Sequence, residues 1–486
     1  MPGGTMHMLA LLLAVMLVLL AKNGKAEPNM TATYTLGFLA PTADSAMIPA
    51  SLATEWISAF NVAMEVLNSE RTYILVAQMQ PSQCDWQLAE RGAETIVLPI
   101  TPPVIGVVGP ECTSAAMSAS RSLMFYNISL VSFAATAETL SNRGLFPNFF
   151  RTVYGDMHQA AALVASIMKL QMQKVTIVVS QSYYSSNLGQ NVQKLINGST
   201  TVRTVTVAIG DKSLIDAEIL ESALNSIEAD EVVLLAVEPL QARDIWQKAY
   251  KMGKTGYPYW YLGADGVTAF DLADVNTTDP SMLAELVGEI GVSPFGGDFS
   301  SDNVCNKFYS HWRKKNYPGL ISDGQNRTRS YVPYLIDAVT AYFKVIDNLI
   351  EANISVNALT VFQAFNGSGP GTPVFEGCSG LVSFDPETGT RNATAQIPIF
   401  EFVSLIHGYW EAKGQIRNET FQSLQPLTRP GSVTGSTYNG NSSTIVGTLV
   451  GLAAVLGLIL GISYYLLRKK KKALTRSESM DRIWDH

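Results

Sequence analysis

Short apolar runs of strand length alternate with helical patterns between residues 33 and 262, and this alternation limits the fold more than any other feature. Apolar runs predict strands at 34–39, 104–108, 129–133, 175–179, 201–208, 231–236 and 259–262. Apolar residues at helical spacing predict helices at 53–68, 114–126, 157–170, 188–196, 214–227 and 242–251. Strands alternating with helices form a parallel sheet with helices on both faces. We therefore predict an α/β protein, and about four hundred residues require two lobes rather than one core.

An apolar run near the amino terminus, residues 8–21, has the length of a signal peptide. Small residues at Gly24 and Ala26 follow it and suit cleavage, which predicts a signal peptide at 1–26. No Lys or Arg precedes the run, so a signal anchor remains the alternative.

A second apolar run near the carboxyl terminus predicts a membrane span at 444–467. The basic residues at 468–472 follow it directly, and such clusters stay on the cytoplasmic side. We therefore predict a single-pass type I protein of the plasma membrane with a short basic tail at 468–486. The preceding residues, 431–443, are rich in Gly, Ser, Thr and Asn and predict a flexible stalk between the span and an extracellular domain at 27–430.

Glycosylation and cysteine patterns agree with an extracellular location. Ten Asn-x-Ser/Thr triplets predict a glycoprotein, at Asn29, Asn127, Asn197, Asn276, Asn326, Asn353, Asn366, Asn392, Asn418 and Asn441. The four cysteines allow three disulfide connectivities. We predict the pairing of sequence neighbours, Cys84 with Cys112 and Cys305 with Cys378. The net charge of −7 includes the basic tail, so the extracellular part offers no basic face for nucleic acid.

Two hydroxyl-rich turns follow neighbouring predicted strands and suggest a small-molecule site. Thr113 follows the strand at 104–108, and Ala135 and Thr136 follow the strand at 129–133. Ligands of α/β sheets bind at the carboxyl ends of the strands, where such turns meet. Thr113 also stands at the expected N-cap of the next helix, which is the structural alternative.

Acidic and aromatic residues stand at further strand ends and complete the candidate ligand-binding set. Asp156 is an acidic partner for a ligand ammonium, although Gln159 three residues later also fits a capping box. The Tyr184 ring can cover an ammonium group, with an ordinary loop aromatic as the alternative. Asp265 and Glu238 are the other acidic candidates, and a turn aspartate is the alternative for Asp265.

The sequence offers no catalytic constellation. Its five histidines lack metal-ligand spacing, no C-x-x-C is present, and no G-x-S-x-G provides a nucleophile. We therefore expect neither an enzyme nor a resident metal or cofactor.

Four segments resemble the type I periplasmic-binding-protein-like, or Venus flytrap, domain of eukaryotic receptors: GPECTSAA at 109–116, SFAATAETLSNRGLFPNFFRT at 132–152, YVPYLIDAV at 331–339 and FEGCSGLVSFDPETGTR at 375–391. The stretch LSNRGLFPNFFRT at 140–152 looks especially like class C receptors of the GABA-B and metabotropic glutamate kind. Receptor guanylyl cyclases and the natriuretic-peptide clearance receptor are similar too.

The resemblance implies a bilobed domain that closes on a ligand. It places Thr113, Ala135 and Thr136 on the ligand's carboxylate and amino groups, and it assigns Asp156, Tyr184 and Asp265 to the facing lobe. It implies a first lobe at 31–152 and 293–379 and a second at 153–291 and 381–424. It also implies a homo- or heterodimer through the first lobe. Residues 41–56 contain no Lys or Arg, which disfavours a ligand with a second acidic group.

Two functional interpretations follow from the resemblance. The first is a receptor or co-receptor that binds a small amino-acid-type ligand and signals through a partner. The second is a clearance or decoy receptor for a peptide hormone or small ligand, and a truncated form of a class C or guanylyl cyclase receptor would have the same sequence pattern.

Overall fold

The computed structural model describes residues 32–425 except 43–44, 46, 99–100, 197, 199, 209–214, 230, 273–278, 298–302, 319–330, 368, 407 and 423–424. All described residues belong to one compact unit. The predicted signal peptide, stalk, membrane span and cytoplasmic tail lie outside the described residues. Within the described ranges, no helix combines the length and the apolar character that a membrane span requires.

The first sheet contains five parallel strands in the described part of the chain, ordered β2-β1-β3-β4-β5. Their bounds are β1 Thr33–Ala40, β2 Ile74–Pro81, β3 Val104–Val108, β4 Ser129–Ser132 and β5 Phe149–Arg151. Every residue of β3 and β4 is buried, as expected for central parallel strands covered on both faces.

The second sheet begins with five further strands: β6 Lys174–Ser180, β7 Thr201–Val207, β8 Val232–Ala236, β9 Trp260–Gly263 and β10 Ile290–Pro294. A separate antiparallel pair follows, β11 Phe375–Gly377 and β12 Gly380–Val382. Three more strands then complete the second sheet: β13 Ile399–Ile406, β14 Tyr409–Arg417 and β15 Thr420–Gln422. The order is β15-β14-β13-β10-β9-β8-β6-β7. Strands β6 to β10 run parallel, and of these β6 to β9 were predicted. The sequence pattern did not predict β10 or the antiparallel edge that β13 to β15 add.

Helices connect and cover the two sheets. Their bounds are α1 Ala50–Ser69, α2 Trp86–Val97, α3 Thr113–Met124, α4 Asp156–Lys169, α5 Tyr183–Leu195, α6 Ala217–Asn225, α7 Pro239–Lys251, α8 Asp265–Thr268, α9 Pro280–Glu285, α10 Asn306–Lys315, α11 Val332–Glu351 and α12 Ala358–Phe365. The prediction that a helix starts at residue 188 was wrong by five residues. The Ser182 hydroxyl accepts the Ser185 N–H (3.1 Å) and starts α5 in a polar stretch, so apolar periodicity begins only a turn later.

Helix α11 packs on the first sheet although it follows the parallel strands of the second in sequence. The Tyr342 hydroxyl accepts the Val107 N–H (3.1 Å) and donates to the Ser129 carbonyl oxygen (2.7 Å). A Cβ atom on Gly106 would lie 2.0 Å from the Tyr342 ring, so only glycine fits beneath this tyrosine. The chain therefore returns to the first sheet to complete its helical cover.

Both predicted disulfides are confirmed. Cys84 pairs with Cys112 and Cys305 pairs with Cys378, with Cα–Cα distances of 5.1 and 5.0 Å. The first bond joins the loop after β2 to the loop after β3. The second joins the start of α10 to the loop between β11 and β12.

A buried polar cluster, here called the Asp337–Arg391 cluster, consists of Asp337, Ser379 and Arg391. Asp337 accepts the Cys378 N–H (2.6 Å) at one carboxylate oxygen, and the Ser379 N–H (2.9 Å) and Ser379 hydroxyl at the other. Arg391 in turn donates to the Ser379 hydroxyl and to the carbonyl oxygen of Thr152 (3.3 Å). The cluster therefore ties α11 to the segment that follows β5.

Candidate functional site

A cavity of about 40 Å³ lies where the strand ends of the two sheets meet. Of the seven predicted ligand-binding residues, four line this cavity. Thr113 follows β3 of the first sheet, and the other three follow strands β6, β8 and β9 of the second sheet: Tyr184, Glu238 and Asp265. The fold therefore brings predicted residues from both sheets together at one cavity.

Thr113 is buried at the amino-terminal end of α3. Cys112 occupies the N-cap position and Thr113 is the first helical residue, so the prediction of Thr113 as N-cap was wrong. The threonine is 3% exposed, and its hydroxyl has no hydrogen-bond partner among the described residues. Buried polar groups are nearly always hydrogen-bonded, so this hydroxyl is available to a bound molecule.

Asp265 is the centre of a hydrogen-bonded group with two tyrosines. One carboxylate oxygen accepts the Tyr184 hydroxyl and the Gly266 N–H (2.8 Å), and the other accepts the Tyr331 hydroxyl. Burial and then the Asp265 charge raise the pKa of both tyrosines well above the usual value, so both remain protonated donors. A Cβ atom on Gly266 would lie 2.4 Å from the Val237 carbonyl oxygen, so this close approach requires glycine. Asp265 is therefore held firmly and is more than a turn aspartate.

Glu238 stands at the N-cap of α7 and reaches the same cavity. Its backbone N–H donates to Gln241 (3.3 Å) in a capping box, and the Ser182 hydroxyl donates to its carboxylate (3.4 Å). Burial, followed by the Asp265 charge, raises the pKa of Glu238 to about 8. Glu238 therefore caps a helix and also adds an acid to the cavity.

Glu111 is a further acid of the cavity that sequence reasoning missed. Its carboxylate accepts the Ser82 hydroxyl (2.7 Å) and the Cys84 N–H (3.0 Å). Burial raises the pKa of Glu111 to about 7. Glu111 lies inside the GPECTSAA motif, two residues before Thr113. Its acidic side chain beside a predicted ligand-binding residue was the available signal.

Ala135, Thr136 and Asp156 do not line the cavity, although all three are buried. The Asp156 N–H donates to the Thr136 carbonyl oxygen (2.9 Å), which joins the second turn to the start of α4. The Thr136 hydroxyl and both Asp156 carboxylate oxygens have no hydrogen-bond partner among the described residues. Burial and then the Asp265 charge raise the pKa of Asp156 well above its usual value, while nearby Thr136 and Arg151 oppose this shift.

The capping-box interpretation of Asp156 and Gln159 was wrong. Gly155 occupies the N-cap of α4, and no polar atom of either side chain has a hydrogen-bond partner within the described ranges. Glu138 takes the capping role instead, because its carboxylate accepts the Met157 N–H (2.9 Å). The Asp156 carboxylate is therefore not used to start its own helix.

Arg151 holds the turn after β4, which contains Ala135 and Thr136, in place. Its guanidinium is fully buried and donates to the carbonyl oxygens of Ala135 (3.2 Å) and Ala137 (3.0 Å) and to the Ser141 hydroxyl (2.7 Å). This arginine fixes the backbone that carries Thr136.

Tyr331 and Trp56 also line the cavity and were not among the predicted site residues. Tyr331 begins the motif YVPYLIDAV, so its position at a motif boundary was the available signal. Trp56 stands on α1 with 2% exposure, and its sequence pattern is that of an ordinary core residue.

One trio of potential metal-ligating residues converges in the described part of the chain: Cys84, Glu111 and Cys112. The two cysteines form a disulfide, which removes their thiolates as ligands.

Two α/β sheets whose strand ends enclose a polar cavity define the class of two-lobed ligand-binding domains. The chain matches the receptor family ligand binding region over residues 55–397 and belongs to that family. The predicted resemblance to a class C receptor-like Venus flytrap domain is thereby confirmed.

Several curated relatives are receptors. The chain is 22% identical to metabotropic glutamate receptor-like protein E of Dictyostelium discoideum over 336 residues, which cover 66% of this chain and 38% of that protein. It is 29% identical to a metabotropic glutamate receptor of Drosophila melanogaster over 34% of this chain and 17% of that protein. It is 34% identical to taste receptor type 1 member 3 of Felis catus over 22% of this chain and 12% of that protein. The matched region therefore spans well under half the length of these relatives.

Proposed function

We propose that this chain is a single-pass cell-surface receptor or co-receptor that binds a small amino-acid-type ligand between its two lobes. Lobe closure on the ligand would then act on a partner, and the ligand-binding domain would lie outside the plasma membrane. Family membership and the names of the relatives support a receptor ligand-binding domain.

The observation that carries the proposal is the unused hydrogen-bonding capacity at the meeting point of the two sheets. The Thr113 hydroxyl stands at the first turn of a helix, where free N–H groups favour an anionic group such as a carboxylate. Asp265 and Glu238 stand opposite and favour an ammonium group. An α- or γ-amino acid carries both groups on one small molecule.

Thermal unfolding of the full chain in detergent, with and without amino acids, tests this proposal. We expect stabilisation by several degrees in the presence of an α- or γ-amino acid, because ligands that bind only the folded state stabilise it. Thr113→Ala and Asp265→Ala, at two residues that line the cavity, should abolish the shift. Thr206→Ala, at an exposed position of β7, is the matched control and should retain it.

The clearance or decoy function for a peptide is the competing proposal. The cavity of about 40 Å³ is too small to enclose a peptide in this conformation, which favours a small ligand. Stabilisation by a peptide alone, with no response to amino acids, would overturn the amino-acid proposal. Ligand-dependent output on co-expression with a heptahelical or cyclase-linked partner would distinguish a receptor from a decoy.

The chain is also proposed to be a glycoprotein. Asn127, Asn353 and Asn418 are exposed at positive φ in turns, where a glycan has room, whereas Asn366 and Asn392 are half-buried. A mass decrease on enzymatic deglycosylation, lost in part in Asn127→Gln, would test this proposal.

A further inference from the structure

Acidic side chains surround the cavity. Glu111, Glu238 and Asp265 line it, and Asp156 lies close enough to Asp265 for the two charges to repel. No Lys, Arg or His is among the described residues that line the cavity. The nearby Arg151 is already engaged by backbone carbonyl oxygens and lies 3.8 Å from Glu138.

Burying several carboxylates together without a cation is costly, because each charge loses water and repels its neighbours. Burial raises the pKa of Glu111, and burial together with the Asp265 and Glu111 charges raises the pKa of Glu238. A cation placed among these acids removes the repulsion and replaces the lost solvation. Charge complementarity therefore favours a positively charged occupant.

Two unpartnered polar groups show that the acids belong to a binding site. The Thr113 hydroxyl is 3% exposed and lines the cavity without a hydrogen-bond partner in the described structure. The Asp156 carboxylate is 0% exposed and likewise has no partner among these residues. Neither group serves as a helix cap, and the neighbours that lower the pKa of Asp156, Thr136 and Arg151, do not offset the effects of its burial and of the Asp265 charge.

The lining favours an organic cation over a metal ion. The three lining acids and Asp156 do not converge as a ligand trio within 4.8 Å in the described residues. The rings of Trp56, Tyr184 and Tyr331 also line the cavity, and aromatic faces attract ammonium groups. Separated acids with aromatic neighbours suit an amine better than a bare divalent ion.

We infer that the ligand is a small amine with a net positive charge, either a basic amino acid or a short diamine. This inference rests on the proposed function and specifies the charge of its ligand. The acids at Glu238 and Asp265 would take one ammonium group, and the acids at Glu111 and Asp156 would compensate the second positive charge.

Thermal unfolding and calorimetric titration of the full chain with matched ligand pairs test the inference. Lysine is compared with norleucine, which lacks only the side-chain ammonium, and 1,4-diaminobutane is compared with GABA, which has a carboxylate in place of one amine. We expect the cationic member of at least one pair to bind about tenfold or more tightly than its neutral partner. Glutamate and Ca²⁺ complete the panel.

Variants locate the effect in the cavity. Glu238→Gln should reduce the preference for the cationic ligand by about tenfold, whereas the exposed Glu376→Gln should leave it unchanged. If Glu238→Gln fails to fold, Asp156→Asn is the second test, because Asp156 has no side-chain hydrogen bond to lose in the described structure.

Each outcome has a defined meaning. Equal or tighter binding of norleucine, GABA or glutamate would overturn the charge inference and leave the proposed amino-acid receptor intact. Binding of 1,4-diaminobutane but not lysine would support the charge and revise the ligand class of the proposed function. Stabilisation by Ca²⁺ alone, or by nothing in the panel, would overturn both.

Discussion

Asp337 and Asp156 are both buried, at 1% and 0% exposure, yet their surroundings differ completely. Asp337 accepts three hydrogen bonds and lies near Arg391, which opposes the rise that burial causes in its pKa. Asp156 accepts none within the described residues, and the Asp265 charge adds to the rise in its pKa. Burial alone therefore does not distinguish a scaffold residue from a binding residue. The number of hydrogen bonds that the buried carboxylate accepts does distinguish the two roles.

The largest expected effect is at the Asp337–Arg391 cluster. Asp337→Ala removes the acceptor for three donors and leaves the buried Arg391 charge without its acidic neighbour. We expect the free energy of unfolding to fall by about 3–5 kcal/mol. Urea unfolding of the full chain, with Glu376→Gln as control, measures this change. A fall in unfolding free energy of less than about 1 kcal/mol would show that Asp337 is not a scaffold residue in the sense that separates it from Asp156.

The next effect concerns pH and the acids of the cavity. The folded protein raises the pKa of Glu238 to about 8 and of Glu111 to about 7, from 4.5. Their contribution to stability is therefore complete below about pH 4.5 and is lost as the pH rises through 7 to 8. We expect the ligand-free protein to lose about 3 kcal/mol or more between pH 5 and 8, since each such group costs about 1.4 kcal/mol per pH unit between its unfolded and folded pKa values.

Stability curves of wild type and Glu238→Gln measure this loss, which the variant should reduce. The groups that face Glu238 are Ser182, Asp265 and Glu111, while Ser82 and the Cys84 N–H face Glu111. A cationic ligand should show the opposite trend and bind more tightly as these acids lose their protons. An unfolding free energy that does not change with pH in either protein would contradict the raised pKa values of Glu238 and Glu111.

The smallest expected change in stability is at Asp156. Asp156→Asn replaces a carboxylate that has no hydrogen bond in the described structure with a neutral group of the same size. We expect unfolding free energy to stay the same or rise by about 1 kcal/mol, while binding of an amine weakens by about tenfold. Urea unfolding and calorimetry measure the two quantities. A loss of stability comparable to that of Asp337→Ala would assign Asp156 to the scaffold.

The parallel core of both sheets could be predicted from sequence because its strands are short apolar runs between amphipathic helices. The strand at 104–108 was predicted with its observed bounds. Strand β2 and helix α2 were missed because β2 is an edge strand in which only one of eight residues is buried, so its pattern is that of a surface segment. The antiparallel edge β13 to β15 was missed because the chain between β10 and β13 does not alternate regularly between strands and helices. Lobe boundaries remain a prediction.

The site was predictable where its residues follow parallel strands, because strand ends converge at one edge of a sheet. Thr113, Tyr184, Glu238 and Asp265 meet this condition and line the cavity. Tyr331 could not be found in this way, since it precedes a helix that packs on the first sheet from much later in the chain. The hydrogen bonds of the buried side chains could not be predicted from the sequence either. The sequence pattern suggested Thr113 and Asp156 as helix caps, whereas Cys112 occupies the first N-cap and Glu138 accepts the Met157 N–H at the second helix.

The return of α11 to the first sheet limits how this protein can be cut or rebuilt. A fragment that stops at residue 294 keeps every strand of the first sheet but loses Tyr342 and its contacts with Val107 and Ser129. The bare sheet face would then expose apolar residues and Gly106, which the Tyr342 ring covers in the intact domain. Split reporters and shortened proteins based on this domain should therefore keep α11 in covalent or co-expressed form.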